Sequence, residues 1–360
     1  MDSYEQLQAV LDTHPARAPK TDTFMEILRI LFTPEEAALA ATMSFKAKAP
    51  GQIEKAAGLD EAAAQSLLDS MAAKTIIHVH EKDGKKKYGL VPTIPGLFEF
   101  PFMKGGGTPT HDRLGELWEI YHHEALGNAF AGNPTPLMRV VPVERSLTPK
   151  NRVHPYEEVR NFIMQADFIA LTQCACRVSV KGCDRPKDVC LIFDGAGRFL
   201  VAAGSARAIS KEEGLEVLDR AEKAGLVHTS NNSSDKAGLI CNCCPCCCTV
   251  LRGRTQLNHP HAFEPSRFEA RVDAVSCTGC AVCAEERCPV KAITMNDGIA
   301  TVDAERCIGC GLCASACPAQ AIGLVDRKVV PGIPATVQEM GITVAKEKGT
   351  LEGFIKIMSR

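Results

Sequence analysis

The sequence predicts a multidomain α+β protein, and three observations support this fold class. The chain has 360 residues, which is enough for two to three domains. The region 1–104 contains no cysteine and combines helical patterns with one pair of strands. The rest of the chain carries all 18 cysteines, in groups that follow short apolar strands. These shifts place the expected domains at 1–104, 105–265 and 266–330, followed by a tail at 331–360 that docks on a partner or on the chain itself.

The region 1–104 has the pattern of three helices followed by a β-hairpin. Thr33 precedes a proline at the first helical position, which is a favourable helix start. A Lys-Asp-Gly turn joins the two strands, as glycine-containing turns do in hairpins. The expected helices begin at Pro34, Pro50 and Glu61, and the expected strands are 76–80 and 87–91. This order resembles a winged-helix domain.

The third of these helices bears on whether the winged-helix resemblance implies DNA binding. Base recognition needs side chains such as Arg, Lys, Asn or Gln on the reading helix. This helix instead offers Asp60, Glu61, Gln65 and Asp69, and carboxylates are repelled by phosphates. Lys74 stands only at the end of this helix, and the hairpin turn, 82–87, is basic. We therefore expect this domain to dock on a protein partner, with packing on its own chain and DNA binding as alternatives.

The region 105–265 begins with a linker and an amphipathic helix. The consecutive glycines of 105–107 predict a flexible linker. Residues 111–130 predict a single helix that carries the only tryptophan, Trp118. His122 and His123 are adjacent, so they point to different faces of a helix and do not share one metal.

The rest of this region predicts an α/β layout of helices and short strands. A helix is expected from Pro155 to Met164. A capping box at Ser210–Glu213 begins another helix, and Gly225 is placed to end it. The expected strands are 168–171, 226–228 and 239–240.

Ten cysteines follow these strands in two groups, which an α/β layout can bring together in space. Successive side chains on a strand point in opposite directions, so adjacent cysteines in the second group are expected to face different partners. The first group is Cys174, Cys176, Cys183 and Cys190. The second group is Cys241, Cys243, Cys244, Cys246, Cys247 and Cys248.

The ten thiols allow several arrangements. The first group can close one iron–sulfur cluster and the second another, and one cluster can use more than four cysteines. Zinc in the first group, and buried free thiols among the second, are the alternatives. His228 and His259 are weaker candidate ligands, and Arg177 and Lys181 are placed to offset the charge of a cluster.

The spacing of these cysteines carries a second resemblance. A Cys-x-Cys-Arg motif starts at Cys174, a Gly-Cys-x-x-Pro-x-x-x-Cys-Leu motif ends at Leu191, and an Asn-Cys-Cys-x-Cys-Cys-Cys motif starts at Asn242. Over about residues 139–252 this resembles a segment of iron–sulfur proteins from anaerobes. The resemblance implies iron–sulfur binding and electron transfer, and it implies no defined reaction.

The region 266–330 holds two copies of one cysteine pattern. Each is Cys-x2-Cys-x2-Cys followed by Cys-Pro, and Val272-Asp273 before the first copy recurs as Val302-Asp303 before the second. Such runs hold two [4Fe-4S] clusters, with the fourth cysteine of each run serving the other cluster. The expected ligand sets are therefore Cys277, Cys280, Cys283 and Cys317 for one cluster, and Cys307, Cys310, Cys313 and Cys288 for the other.

This pattern resembles the bacterial two-[4Fe-4S] ferredoxin over about residues 271–325. The first copy departs from the second because four residues, not three, separate Cys283 from Cys288. We interpret the extra residue as a loop insertion that leaves Cys288 a ligand. A double zinc site is the alternative, but zinc sites close on four ligands and do not need interleaved runs.

Composition sets limits on the function. The net charge of −2 provides no overall attraction to nucleic acid or membrane. The chain starts without an apolar signal region and contains no apolar stretch long enough to span a bilayer. A large chain of this kind with many cysteines indicates reduced, metal-bound thiolates in a reducing, anaerobic cytoplasm.

These observations favour electron transfer. The sequence contains no Gly-x-Gly-x-x-Gly motif after a strand and no P-loop, so no nucleotide site is expected. The leading hypothesis is an electron-relay subunit of a larger anaerobic oxidoreductase, with two [4Fe-4S] clusters at the C-terminal end and one or two more iron–sulfur clusters upstream. It would pair with a catalytic subunit or with a second copy of itself. The alternatives are a reductase whose upstream cluster binds substrate, and a redox-sensing DNA-binding regulator.

Overall fold

The computed structural model describes residues 2–147, 157–330 and 332–360. Its α-helices are α1 Ser3–Leu11, α2 Asp22–Leu31, α3 Pro34–Thr42, α4 Pro50–Ala57, α5 Glu61–Ala73, α6 Glu99–Met103, α7 Pro109–Tyr121, α8 Gly127–Ala131, α9 Val159–Gln165, α10 Ala175–Val180, α11 Asp194–Ala202, α12 Lys211–Lys223, α13 Thr249–Thr255, α14 Leu312–Ser315, α15 Val337–Glu347 and α16 Leu351–Met358. Its strands are β1 Ile77–Lys82, β2 Lys85–Leu90, β3 Met138–Val140, β4 Ile169–Gln173, β5 Asp188–Phe193, β6 Arg207–Ile209, β7 Val227–Asn231, β8 Leu239–Cys243, β9 Phe268–Val272, β10 Ile293–Asn296, β11 Ile299–Val302 and β12 Ile322–Asp326.

The N-terminal region contains the three expected helices and the hairpin, preceded by two helices that the sequence analysis did not predict. Helix α3 begins with a capping box in which Thr33 and Glu36 bond to each other's backbone. Strands β1 and β2 pair antiparallel, with Ile77 opposite Leu90. The hairpin also meets the central region, because the ring of His78 lies 4.9 Å from that of Phe199 in α11.

The helix expected over 111–130 is interrupted. It runs as α7 to Tyr121, widens into a π-helical turn over His122–Leu126, and resumes as α8. Such turns insert one extra residue and redirect the side chains beside it. Here His122 becomes buried, while its neighbour His123 stays exposed.

The central region is built on a six-stranded sheet in the order β3-β7-β8-β5-β4-β6. Every neighbouring pair is antiparallel, so the expected α/β layout is corrected: helices and strands alternate along part of the chain, but the six strands of this sheet do not pair in parallel. Helices α9 and α12 cover one face, and α11 packs on the other. The expected start of α9, at Pro155 and Tyr156, lies outside the described residues.

The C-terminal cysteine runs sit between two small antiparallel sheets. Strand β9 pairs with β12, so the first strand of the region returns to the last. Strands β10 and β11 pair between them. Each of the two sheets therefore contains one strand from each copy of the repeat. The strands that enclose one cysteine run thus come from both copies.

The C-terminal tail packs on the chain's own central and N-terminal regions. Glu347 in α15 accepts hydrogen bonds from the backbone and hydroxyl of Thr135. In α16, Phe354 lies 5.6 Å from the ring of His14, and Ile357 is buried. Of the two possibilities left open by the sequence, these contacts fit docking on the chain itself. Within the described residues, no helix has both the length and the apolar character needed to cross a membrane.

Candidate metal centres

Two cavities in the C-terminal region are lined by the cysteines of the two runs. One cavity is lined by Cys277, Cys280, Cys283 and Cys317. The other is lined by Cys288, Cys307, Cys310 and Cys313. Each cavity thus brings together three cysteines of one run and the last cysteine of the other, which are the groupings expected for crossed ligation.

The loops of the second run approach neighbouring backbone so closely that only glycine fits. Gly309 has a φ of +65°, and a Cβ there would lie 2.1 Å from the carbonyl oxygen of Phe268. Gly311 has a φ of +78°, and its Cβ would lie 2.1 Å from the hydroxyl of Ser146. These glycines therefore hold the cysteine loop against β9 and against the segment that follows β3.

Backbone N–H groups point at several of the thiol sulfurs. The amide of Ala292 donates to Cys288 at 3.1 Å, and that of Ala321 donates to Cys317 at 3.3 Å. Burial nevertheless raises the pKa of Cys310 to about 12. A buried thiol of this kind becomes a thiolate when a metal replaces its proton, so these cavities are suited to cations.

The extra residue of the first run is absorbed by a wider helical turn. The segment Cys283–Arg287 forms a π-helical turn, whereas the corresponding part of the second run is the short helix α14. A π turn holds one residue more than an α turn, so Cys288 still reaches its cavity. Arg287, within this turn, donates hydrogen bonds to the carbonyl oxygens of Glu222 and Lys223 and ties the run to the end of α12.

The two cavities differ in exposure. Cys280 is exposed, and the neighbouring Val275 is 96 % exposed. In the other cavity Cys307, Cys310 and Cys313 are all buried. The cavity of the Cys277 set therefore lies at the surface, and that of the Cys307 set lies toward the interior.

The ten central cysteines are redistributed relative to the two groups expected from the sequence. Cys190 lies within β5, and Cys241 and Cys243 lie within β8, which is its direct neighbour in the sheet. Cys183 leaves the first group and joins three members of the second. The sulfurs of Cys183, Cys244, Cys246 and Cys247 all lie within 4.8 Å of one another.

The other six central thiols are joined in a ring, which we call the six-thiol ring. The thiol of each member interacts with the thiols of its two neighbours in the ring. Two hydroxyls border it, because Thr249 lies 3.8 Å from Cys176 and Thr229 lies 3.4 Å from Cys243. The order around the ring is Cys174, Cys176, Cys248, Cys243, Cys241 and Cys190.

Arg177 lies between the six-thiol ring and the four-thiol group. Its side chain is fully buried, and Nη1 donates to the carbonyl oxygen of Asn242 at 2.9 Å and lies 3.7 Å from the sulfur of Cys244. Burial by itself would lower its pKa, but the nearby thiols of Cys174, Cys190 and Cys244 hold that pKa above the ordinary value. The guanidinium is therefore a fixed positive charge shared by both sets.

The two candidate histidines lie outside both thiol sets. The Nδ1 of His228 shares a hydrogen bond with the side chain of Asn242, and the Nε2 of His259 bonds to Asn128. Lys181 is also accounted for, because it forms an ion pair with Asp112 at 2.7 Å. Arg177 is thus the basic residue that the fold brings to the thiols.

A small polar cavity borders the six-thiol ring on the side of Cys176, and no pattern in the sequence predicted it. Its wall includes Thr249, and the space at its centre is about that of one water molecule. Several buried polar atoms on this wall have no partner among the described residues: Nε1 of Trp118, Oε2 of Glu119, both ring nitrogens of His122, Oγ of Ser179 and Nε of Arg252. Burial lowers the pKa of His122 to about 4, so its ring is neutral.

Comparison with known proteins agrees with the C-terminal geometry. A family model described as "4Fe-4S binding domain" matches residues 300–323, which include the second cysteine run. No curated protein and no solved structure matches the chain. The matched domain and the many cysteines define the class: this is an iron–sulfur electron-transfer protein. The matched residues, 300–323, place a 4Fe-4S binding domain toward the C-terminal end of the chain.

Proposed function

We propose that the chain is an electron-relay protein in which two [4Fe-4S] clusters occupy the C-terminal cavities. The observation that carries this proposal is that each cavity is lined by four cysteines in the crossed grouping. The clusters supply one-electron chemistry, and the chain sets their spacing, burial and hydrogen bonding. The region 266–330 acts as one ferredoxin-like unit.

The difference in exposure suggests the order of the relay. The Cys277 set, at the surface, exchanges electrons with a partner, and the buried Cys307 set passes them inward. Helix α13 connects this set to the central thiols, because it begins directly after Cys248 and its Arg254 donates to the carbonyl oxygen of Glu305, two residues before Cys307. A helix of seven residues spans only about 10 Å, so the centres lie near one another.

The partner that fits such a relay is a catalytic subunit of an oxidoreductase in an anaerobic cytoplasm. The N-terminal region, 1–104, is suited to docking as a winged-helix-like domain. Its third helix, α5, exposes Asp60, Glu61 and Asp69, which disfavours phosphates and suits a basic protein surface. Docking on protein is therefore preferred over a role as a DNA-binding regulator.

Anaerobic purification followed by reduction with dithionite tests the proposal. About eight irons per chain are expected from the C-terminal clusters alone, together with the spin-coupled spectrum of two adjacent reduced cubanes. Oxidation by a redox dye should restore the starting spectrum over several cycles. A chain that binds iron but takes up no reversible electrons would contradict the relay.

A second candidate function is a reductase whose central centre meets a substrate. The polar cavity beside Cys176 favours it, since donors and acceptors without partners surround a space next to the six-thiol ring. Burial and the nearby Cys176 thiol also raise the pKa of Glu99 to about 8, which keeps a protonated carboxyl close to the ring. Small ligands such as carbon monoxide or cyanide should perturb the spectrum of the reduced central centre, and they should have no effect if it only relays electrons.

A further inference from the structure

The alternation of side chains along β8 divides the central thiols between the two faces of the sheet. Cys241 and Cys243 point to one face, toward the N-terminal region, and Ile240 and Cys244 point to the other, toward α9 and α12. The neighbouring strand agrees, because Leu191 of β5 pairs with Ile240 and packs on the α12 side. Cys190, the residue before Leu191 in β5, therefore lies on the same face of the sheet as Cys241.

Elements from three parts of the chain complete the ring on the first face. Cys174 follows the end of β4, which pairs with β5, and Cys176 is the second residue of α10. Cys248 precedes α13, its thiol interacts with those of Cys176 and Cys243, and the hydroxyl of the next residue, Thr249, lies 3.8 Å from the sulfur of Cys176. The sequence-distant groups are thus closed into one set by the pairing of β4, β5 and β8.

We propose that the six-thiol ring binds a single iron–sulfur cluster with more irons than a cubane. This proposal extends the relay proposed above. A cubane offers four iron corners and takes one thiolate at each, so it would leave two members of the ring without iron. All six cysteines are free of disulfides, and each adjoins two others. No four of them are therefore set apart as the ligands of a cubane, with the other two left over.

The surroundings of the ring suit a highly charged cluster. Four members of the ring, Cys174, Cys190, Cys243 and Cys248, are buried, and buried thiolates need compensating positive charge. The fully buried Arg177 supplies it, and its Nε and Nη2 have no partner within the described part of the chain. These two groups are free to donate to the sulfides or thiolates of a cluster, as groups beside metal ligands commonly do.

Six variants of the full chain, each with one ring cysteine changed to serine, test this proposal. We expect every variant to lose or alter the same spectroscopic signal and to lose more than about four irons, while the ferredoxin signals persist. If two of the six keep the wild-type signal and iron content, the centre is a cubane and the proposal is overturned. The ferredoxin signals report separately on the relay, and serine preserves the size of the side chain.

The four-thiol group has a different geometry and carries a second proposal. The sulfur of Cys183 lies 3.9 Å from those of Cys244 and Cys247, and the sulfurs of Cys246 and Cys247 are 3.8 Å apart. Four thiolates at about 2.3 Å from one tetrahedral ion are about 3.8 Å from each other. Thiolates on a cubane bind different irons and lie farther apart. We infer that this group binds one ion, and zinc is the expected one.

Metal analysis of Cys246→Ser beside Cys190→Ser separates the possibilities. Cys246→Ser should lose about one zinc per chain and keep its iron, whereas Cys190→Ser should lose iron and keep zinc. Loss of about four irons and no zinc from Cys246→Ser would overturn the single-ion assignment. Because Cys190 belongs to the six-thiol ring, it is the matched control for removing a buried cysteine nearby.

Discussion

Cys243 and Cys244 are consecutive in the chain, yet their thiols belong to different sets, the six-thiol ring and the four-thiol group. The thiol of Cys243 interacts with those of Cys241 and Cys248, while the sulfur of Cys244 lies 3.9 Å from that of Cys183. The peptide between them therefore crosses from one face of the sheet to the other. Consecutive Cα atoms are only about 3.8 Å apart, so the two thiol sets lie next to each other.

Crossed ligation predicts which cluster responds to Cys317→Ala. This cysteine lines the cavity of the Cys277 set, although it follows the second run in sequence. We expect loss of the surface cluster, about four irons, with the buried cluster retained. Electron paramagnetic resonance of the reduced protein should then lose the spin coupling and show one isolated cubane. Selective loss of the Cys307 cluster would contradict the assignment.

Cys176→Ala should affect only the central region. Its thiol lies between Cys174 and Cys248, and neither C-terminal cavity includes it. We expect both ferredoxin signals to remain and the central iron to be lost. Iron analysis together with visible spectroscopy of the anaerobic protein measures this. An unchanged iron content would show that Cys176 is not a ligand.

Gly309→Ala should destabilise the buried cluster more than a glycine change in open space. Both Gly309 and Gly298 have positive φ, but nothing lies within 4 Å of a Cβ at Gly298, while one at Gly309 meets the Phe268 carbonyl at 2.1 Å. Gly298→Ala should cost about 1 kcal/mol through backbone strain, and Gly309→Ala should cost more. The rate at which a chelator removes iron compares them, and equal rates would contradict the steric argument.

Arg177→Met should weaken metal binding at both central sets. The guanidinium adjoins Cys244 and interacts with Cys174 and Cys190, so its loss removes the buried positive charge of the site. Changes to groups beside metal ligands cost about 10- to 100-fold in affinity. Competition with a chelator measures the affinity, and Lys181→Met, which removes an exposed ion pair with Asp112, is the control expected to change nothing.

The docking of the C-terminal tail should strengthen as the pH rises above neutrality. Burial lowers the pKa of Lys348 from 10.5 to about 7, and its Nζ donates to the carbonyl oxygen of Pro15. Between these two values the undocked tail binds a proton that the docked tail does not, so stability increases with pH through this window. Calorimetry of wild type and Lys348→Met across this range should show their difference in unfolding temperature changing with pH. A constant difference would contradict it.

The sequence predicted the local elements well wherever a residue's own chemistry decides them. Helices α3, α4 and α5 begin at Pro34, Pro50 and Glu61 as expected, because prolines and caps act within one turn. The helix over 111–130 was predicted without its π turn at His122, since the packing that stabilises such a turn is not local. Helices α1 and α2 were missed, although the capping residues Asp2 and Thr21 precede them.

The same distinction between local and tertiary determinants applies to the candidate site. The repeated spacing of the cysteines from Cys277 to Cys317 by itself determined the expected ligand sets, because short loops fix which thiols can meet around one cluster. The partition of the ten central thiols was decided only by the tertiary structure. Antiparallel pairing of β4, β5 and β8 brings Cys190 beside Cys241 and moves Cys183 to Cys244. Strand pairing joins residues far apart in sequence, and no local spacing encodes which face of the sheet each thiol will share.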